Sequence, residues 1–288
     1  MYSNGSELLN LCDKDNLSLY QVIINEEMKQ TMMTKEAILK KIDGILEVMV
    51  HSVTYAMEHP VSTLGGLIGG ESKKLMQYRA VGEGLSDGWI LKAMARAFSA
   101  LEHNGSMGRI CAAPTAGSCG ILPAALITMA EKYNLSRQLI LEGMVVASGV
   151  GKIISENATV AGAEGGCQAE CGSAAAMTAA ALVYMMGGSP KTSFDAAAIA
   201  LKNIMGLICD PIAGLVEAPC AKRNASGVVN AITSADMALA GIQSIIPFDE
   251  VVEAMYTVGK NMHTDFKETA RGGMAATPTG RLLADKLK

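Results

Sequence analysis

Apolar positions recur along this chain at three- and four-residue spacing, and no stretch alternates apolar and polar residues long enough to make a strand. The clearest case is residues 35–57, where Ile38, Ile42, Ile45, Leu46, Met49 and Val53 fall on one helical face and Thr34 stands where a cap belongs. By the same reasoning Asn16 is placed to cap the segment LSLYQVIINEEM, Ser86 to cap DGWILKAMARAFSALEHNG, and Asn134 to cap LSRQLILEGMVVASGVGKIISEN. A small-residue helix is expected from Cys167 to Gly187-Gly188, and SFDAAAIALKNIMGLI is expected to deliver Cys209 at its C-terminal end. Helices running from Cys220 to Gly241 and onward from Pro247 complete the set. The pattern predicts an all-α, compact helical domain over residues 1–288, with residues 1–60 as docked N-terminal helices and Gly-rich loops between the main elements.

Composition sharpens this picture. Half the residues are hydrophobic but only 4% are aromatic, so the core must come from Ala, Ile, Leu, Val and Met, with Gly allowing close helix approach. The 19 methionines suit irregular gaps. The net charge of −4 comes without any basic stripe, which argues against nucleic-acid binding. The N-terminal MYSNGSELLNLCDKDN has neither the basic nor the apolar region of a signal peptide, and the apolar run from Gly172 to Gly188 is too short to cross a bilayer. A cytoplasmic protein with no membrane contact is expected. Its seven cysteines then read as ligands or core residues rather than as disulfides.

Two loops are candidates for binding small ligands. In HPVSTLGGLIGGESKKL, which contains Thr63, glycines 65, 66, 69 and 70 expose backbone amides that could wrap a polar group; an ordinary connecting loop has the same composition. No Gly-Lys-Ser/Thr follows, so it is not a Walker A loop. In APTAGSCGILPAALITMAEKYN, Thr115, Gly117 and Ser118 precede an apolar helix, an arrangement that either seats a carboxylate on free N–H groups and hydroxyls or simply caps the helix. Cys119 reads as a small core residue.

The densest chemistry lies between Gly165 and Asn224, which holds Cys167, Cys171, Cys209 and Cys220. Cys209 follows Cys167 by 42 residues and Cys220 follows Cys209 by 11, a spacing unlike ferredoxin or zinc-ribbon patterns. Folding back of the Pro- and Gly-broken turn between Cys209 and Cys220 would gather three soft thiolates suited to a metal or an iron–sulfur cluster. A cluster held by three thiolates keeps one iron free of protein ligands, as a Lewis acid able to hold a hydroxyl. Three cysteines in a hydrophobic chain are equally often core residues. Cys171, one turn after Cys167, is read as packing rather than as a fourth ligand.

The segments STLGGLIGGESKKL, APTAGSCGILPA, EGGCQAECGSAAAM, GLICDPIAGLVEAPCAKRNA and ETARGGMA together resemble the α chain of the iron–sulfur-dependent L-serine dehydratases, in the bacterial type whose α and β chains are separate. The resemblance spans residues 62–275. It implies a 4Fe-4S cluster on Cys167, Cys209 and Cys220, with an open iron that binds and expels the hydroxyl of L-serine, in an oxygen-sensitive enzyme making pyruvate and ammonia. It also implies a hetero-oligomer with a serine dehydratase β subunit. Thr63, Thr115, Gly117 and Ser118 become candidate substrate contacts, with Arg223 or Arg271 pairing to the substrate carboxylate. The family's Ser-rich, His-containing motif, thought to supply the base, belongs to the β part and has no match here; HPVS at His59 is only superficially similar. The family also carries other residues where this chain has Cys171. Competing readings are an L-cysteine desulfidase of the same family, a structural zinc or non-catalytic iron–sulfur protein, and pyridoxal phosphate chemistry on Lys152, for which the surrounding GVGKII is a poor match.

Overall fold

The structure, a computed structural model, describes residues 2–82 and 84–287. Its helices are α1 (Gly5–Asp15), α2 (Leu19–Thr31), α3 (Lys35–Glu58), α4 (Glu71–Val81), α5 (Gly88–Gly105), α6 (Ile121–Tyr133), α7 (Arg137–Asn157), α8 (Gly162–Gly165), α9 (Ser173–Met185), α10 (Pro190–Lys202), α11 (Cys220–Leu239), α12 (Phe248–Asn261) and α13 (Pro278–Asp285). Among the described residues the sole β-type pairing is a bridge between Cys209 and Lys267, so the all-α expectation holds.

The fold is arranged around α9, in which every residue except Tyr184 is buried. Its alanine rows let α6, α7, α10 and α11 pack around it. Glycines on those neighbours mark the closest approaches: a Cβ added to Gly143 of α7 would lie 2.8 Å from Met185 Sδ, and one on Gly227 of α11 would lie 2.5 Å from Ile121 Cδ1. Helix α7 is long and apolar enough to cross a membrane by length and composition alone, but its apolar face is buried on α9 and α2. The N-terminal helices dock on this body. Backbone N–H groups of Gly5 and Ser6 donate to the Asp249 carboxylate of α12, α2 packs on α7, and α3 packs on α5.

Helix caps correct the sequence reading at three points. Asn16 and Asn134 close α1 and α6 in the left-handed conformation, at φ +50° and +52°, and do not open the helices that follow. The caps there are Ser18, in a reciprocal capping box with Gln21, and Ser136, which accepts from Leu139 N. Asp87, not Ser86, accepts from Trp89 N at the start of α5, whereas Thr34 caps α3 as expected. Asn tolerates positive φ better than Ser does, so where Asn precedes Ser by two residues the Asn ends one helix and the Ser begins the next. A fourth correction concerns Cys209: α10 ends at Lys202, and Cys209 sits beyond it on an extended segment.

A buried acid ties α4 to α5. Glu102 is fully buried; its Oε1 accepts from Ser72 N at 3.0 Å, while Oε2 has no donor. Burial, reinforced by a hydrogen bond to Glu71, raises the Glu102 pKa to about 7. Burial would raise Glu71 as well, but N–H donors from Gly69 and its own backbone, with the Glu102 proton, hold it below the usual range. Burial thus favours a proton on Glu102 beside the ionised Glu71. Unfolded Glu102 releases that proton near 4.5 and folded Glu102 near 7, so between these values the native state binds more protons. This contribution to stability is complete below pH 4.5 and is lost as pH rises through about 7. Urea titrations across that range should show Glu102→Gln flattening the decline seen in the wild type and exceeding it in stability above pH 7; parallel profiles would refute the raised Glu102 pKa.

Candidate active site

Three cysteines from three separate elements reach one buried region. Cys167 immediately precedes a π-helical turn, Gln168–Gly172, that leads into α9; Cys209 lies on the extended segment; Cys220 is the first residue of α11. All are buried, and no cysteine of the chain is in a disulfide. Cys209 responds electrostatically to Cys167 and Cys220, and Cys220 responds to Cys167. Burial, then Glu170 and Cys167, pushes the Cys209 thiol far up, and burial followed by Cys167 raises Cys220 to about 12. Cys167 goes the other way: a hydrogen bond with Cys171, Sγ to Sγ 3.4 Å, and the charge of Arg223 lower its pKa against burial. Cys171 is wholly buried, so the structure puts it in the core and also in contact with Cys167. Among the described residues, no three His, Cys, Asp or Glu side chains are grouped to hold a single metal ion.

Arg223 and Asp210 hold this region together. Arg223 donates to Ile208 O at 2.9 Å and to Asp210 Oδ1 at 2.6 Å. Burial opposes its charge, but Cys167 and Asp210 outweigh burial and raise its pKa. The second oxygen of the fully buried Asp210 accepts from Met274 N at 2.6 Å, which fastens the ETARGGMA segment against the Cys209 segment. Gly273 makes that approach possible: its φ is +59°, and a Cβ there would lie 2.1 Å from Asp210 Oδ2. The Cys209 backbone completes the seam, with its N–H donating to Phe266 O and its carbonyl accepting from Glu268 N, both at 2.8 Å.

The Thr115–Ser118 turn faces the cysteines and contains a resident carboxylate. Thr115 Oγ1 donates to Glu170 Oε2, and Cys209 Sγ lies 3.5 Å from Glu170 Oε1. Burial raises the Glu170 pKa, partly offset by the Thr115 hydrogen bond. Ser118 is buried and completes a capping box with Thr115, while the N–H groups of Ala116 and Gly117 meet no acceptor among the described residues. Asn224 clamps the turn to α11: its Oδ1 accepts from Gly120 N at 3.0 Å, and its Nδ2 donates to Gly117 O at 2.7 Å and Cys220 O at 3.0 Å.

The Gly-rich loop does wrap a carboxylate, and that carboxylate belongs to the chain itself. Glu217, 2% exposed and three residues before Cys220, accepts from Thr63 Oγ1 at 2.8 Å, Gly65 N at 2.7 Å and Leu67 N at 2.9 Å. Ile68 O, also 2.8 Å from Thr63 Oγ1, is the alternative acceptor for that one hydroxyl proton. The structure thus places Thr63 in a brace behind Cys220. Arg271 lies at the surface, paired with Asp265 at 3.1 Å, and Glu164, exposed on α8, accepts from Thr159. Lys152 pairs with Glu156 and stacks over Tyr2, and Cys119 is buried in the core.

Sequence reasoning missed Glu170, Asp210, Glu217 and Asn224. Their only trace in the chain is indirect, in glycines facing them: added Cβ atoms on Gly117 and Gly162 would lie 2.7 and 2.2 Å from Glu170 oxygens, and one on Gly65 would lie 2.9 Å from Glu217 Oε1. Removing the Glu217 carboxylate with Glu217→Ala strands the N–H groups of Gly65 and Leu67, while the Thr63 hydroxyl can still turn to Ile68 O. A loss of roughly 2–3 kcal/mol in urea unfolding is expected, with faster proteolysis of residues 62–70, whereas Glu217→Gln should lose less.

The chain matches the serine dehydratase alpha chain family over residues 14–275. It is 48% identical to the L-serine dehydratase alpha chain of Peptoniphilus asaccharolyticus, over 98% of this chain and 97% of that one. It is 47% identical to a probable L-serine dehydratase alpha chain of Bacillus subtilis (strain 168), over 100% and 95% respectively. Similarity to L-serine dehydratase 2 of Escherichia coli (strain K12) is 34% over 95% of this chain, but over only 61% of that longer protein. With a family match across nearly the whole helical body, cysteine region included, this chain belongs to the serine dehydratase alpha chain family.

Proposed function

We propose that this chain is the α subunit of an L-serine ammonia-lyase that carries a four-iron, four-sulfur cluster on Cys167, Cys209 and Cys220 and works with a separate β chain. The observation that carries this reading is the convergence of three buried thiols, drawn from distant elements, beside Arg223 in a chain whose relatives bear the name L-serine dehydratase alpha chain. Soft thiolates suit iron and sulfide. Cys167 acts electrostatically on both Cys209 and Cys220, which supports one cofactor shared by the three thiols. When bound, such a cluster supplies a Lewis acid for the departing hydroxyl.

The chain's own residues supply the setting. Arg223, fixed by Asp210 and Ile208 O, places a positive charge beside Cys167, where it offsets thiolate charge. Because that guanidinium is committed to these partners, the substrate carboxylate falls to the N–H groups of Ala116 and Gly117 on the turn that Asn224 clamps. Thr63 and Glu217 support Cys220 from behind. The base that takes the α-proton is assigned to the β chain. The α-proton and the β-hydroxyl leave as the elements of water; the enamine left behind tautomerises to an imine, which hydrolyses to pyruvate and ammonia.

The test is anaerobic purification with the candidate β chain. Wild-type protein should be brown, contain iron and acid-labile sulfide, and form pyruvate from L-serine. Cys209→Ala should keep its helical circular dichroism while losing the iron and the pyruvate signal together. A colourless wild type, or a variant that keeps its iron, would overturn the ligand assignment.

A further inference from the structure

We propose that Glu170 is the substrate-binding residue that receives the α-ammonium group of the amino acid. The inference builds on the reading above and names a contact within it. An α-amino acid enters as a zwitterion, and burying its ammonium group is unfavourable unless a carboxylate meets it. Three buried acids lie around the cysteines, and two are already committed. Asp210 is held by Arg223 and Met274 N, and Glu217 by three donors of the Gly-rich loop. Glu170, 9% exposed, is touched only by the Thr115 hydroxyl and the Cys209 thiol, and among the described residues no lysine or arginine forms an ion pair with it.

The backbone is shaped to present this carboxylate. Glu170 lies in the π-helical turn between Cys167 and α9, and such turns displace side chains from the path of a regular helix, frequently at functional sites. Space for the carboxylate is left by glycine on two other elements: Gly117 on the Thr/Ser turn and Gly162 on α8 would each clash with its oxygens if they carried a Cβ. Glu170 therefore stands between the turn whose free N–H groups suit a carboxylate and the thiol of Cys209. That is the arrangement an amino acid needs, since its ammonium and carboxylate groups share one carbon.

Glu170→Gln tests the charge while keeping the shape and an acceptor for Thr115. In the α–β complex purified anaerobically, the variant should retain wild-type iron and sulfide content and its absorption spectrum. Its KM for L-serine should rise on the order of 10- to 100-fold, as expected for losing a charge-assisted hydrogen bond. Calorimetry should show weaker binding of L-alanine, which keeps the ammonium group. Binding of 3-hydroxypropanoate, which lacks it, should be unchanged, and Glu170→Asp should restore part of the L-alanine affinity. Loss of iron in Glu170→Gln, equal weakening of both ligands, or an unchanged KM would each overturn the proposal. A wild-type complex without iron or pyruvate formation would instead refute the function on which it rests.

Discussion

Close packing around α9 is the constraint on which the rest of the structure depends. A helix buried on nearly every side leaves its neighbours no freedom in distance, because alanine rows and facing glycines set the spacing to within a methyl group. Since α9 continues directly from the π-helical turn, that rigidity extends to Cys167, Glu170 and Cys171. Helix α11 is fixed against α9 as well, and this positions Cys220, Arg223 and Asn224 at its first turns. Two of the three proposed ligands are thereby set by helix packing.

The third, Cys209, is positioned by polar clamps, because its segment has no helix to hold it. A short bridge to Lys267, the Asp210–Arg223 ion pair and the Asp210–Met274 hydrogen bond join three stretches distant in sequence. Buried acids in such places are tolerated only with their donors in place, and Asp210 and Glu217 each use both oxygens. Glu102, with a donor on only one oxygen, is instead pushed by burial toward its neutral form. The loops around the candidate site are thus organised by carboxylates, in a chain where only 18% of residues are charged.

Cys171 combines burial in the core with a contact to Cys167. Its sulfur lies 3.4 Å from that of Cys167 and favours the thiolate form there. Helix packing and ligand environment meet in this one residue, which is why reading it as packing alone described only part of its surroundings.

The sequence by itself determined the helical class, most helix boundaries and the family. Period-3.6 patterning, caps and uninterrupted motifs are local properties, and each can be read within a few turns of chain. It also singled out Cys167, Cys209 and Cys220, because thiols separated by breaker-rich turns stand out in a small-residue background. It missed which of Asn or Ser caps a helix where the two stand close together, since the choice depends on how the preceding helix ends. Only the tertiary structure decided that the Gly-rich loop holds Glu217, that Arg223 is taken up by Asp210, and that Arg271 lies at the surface beside Asp265. Those outcomes depend on contacts between segments up to about 150 residues apart. Partners so distant leave no periodic mark on the chain; what they leave is glycine at the points of closest approach.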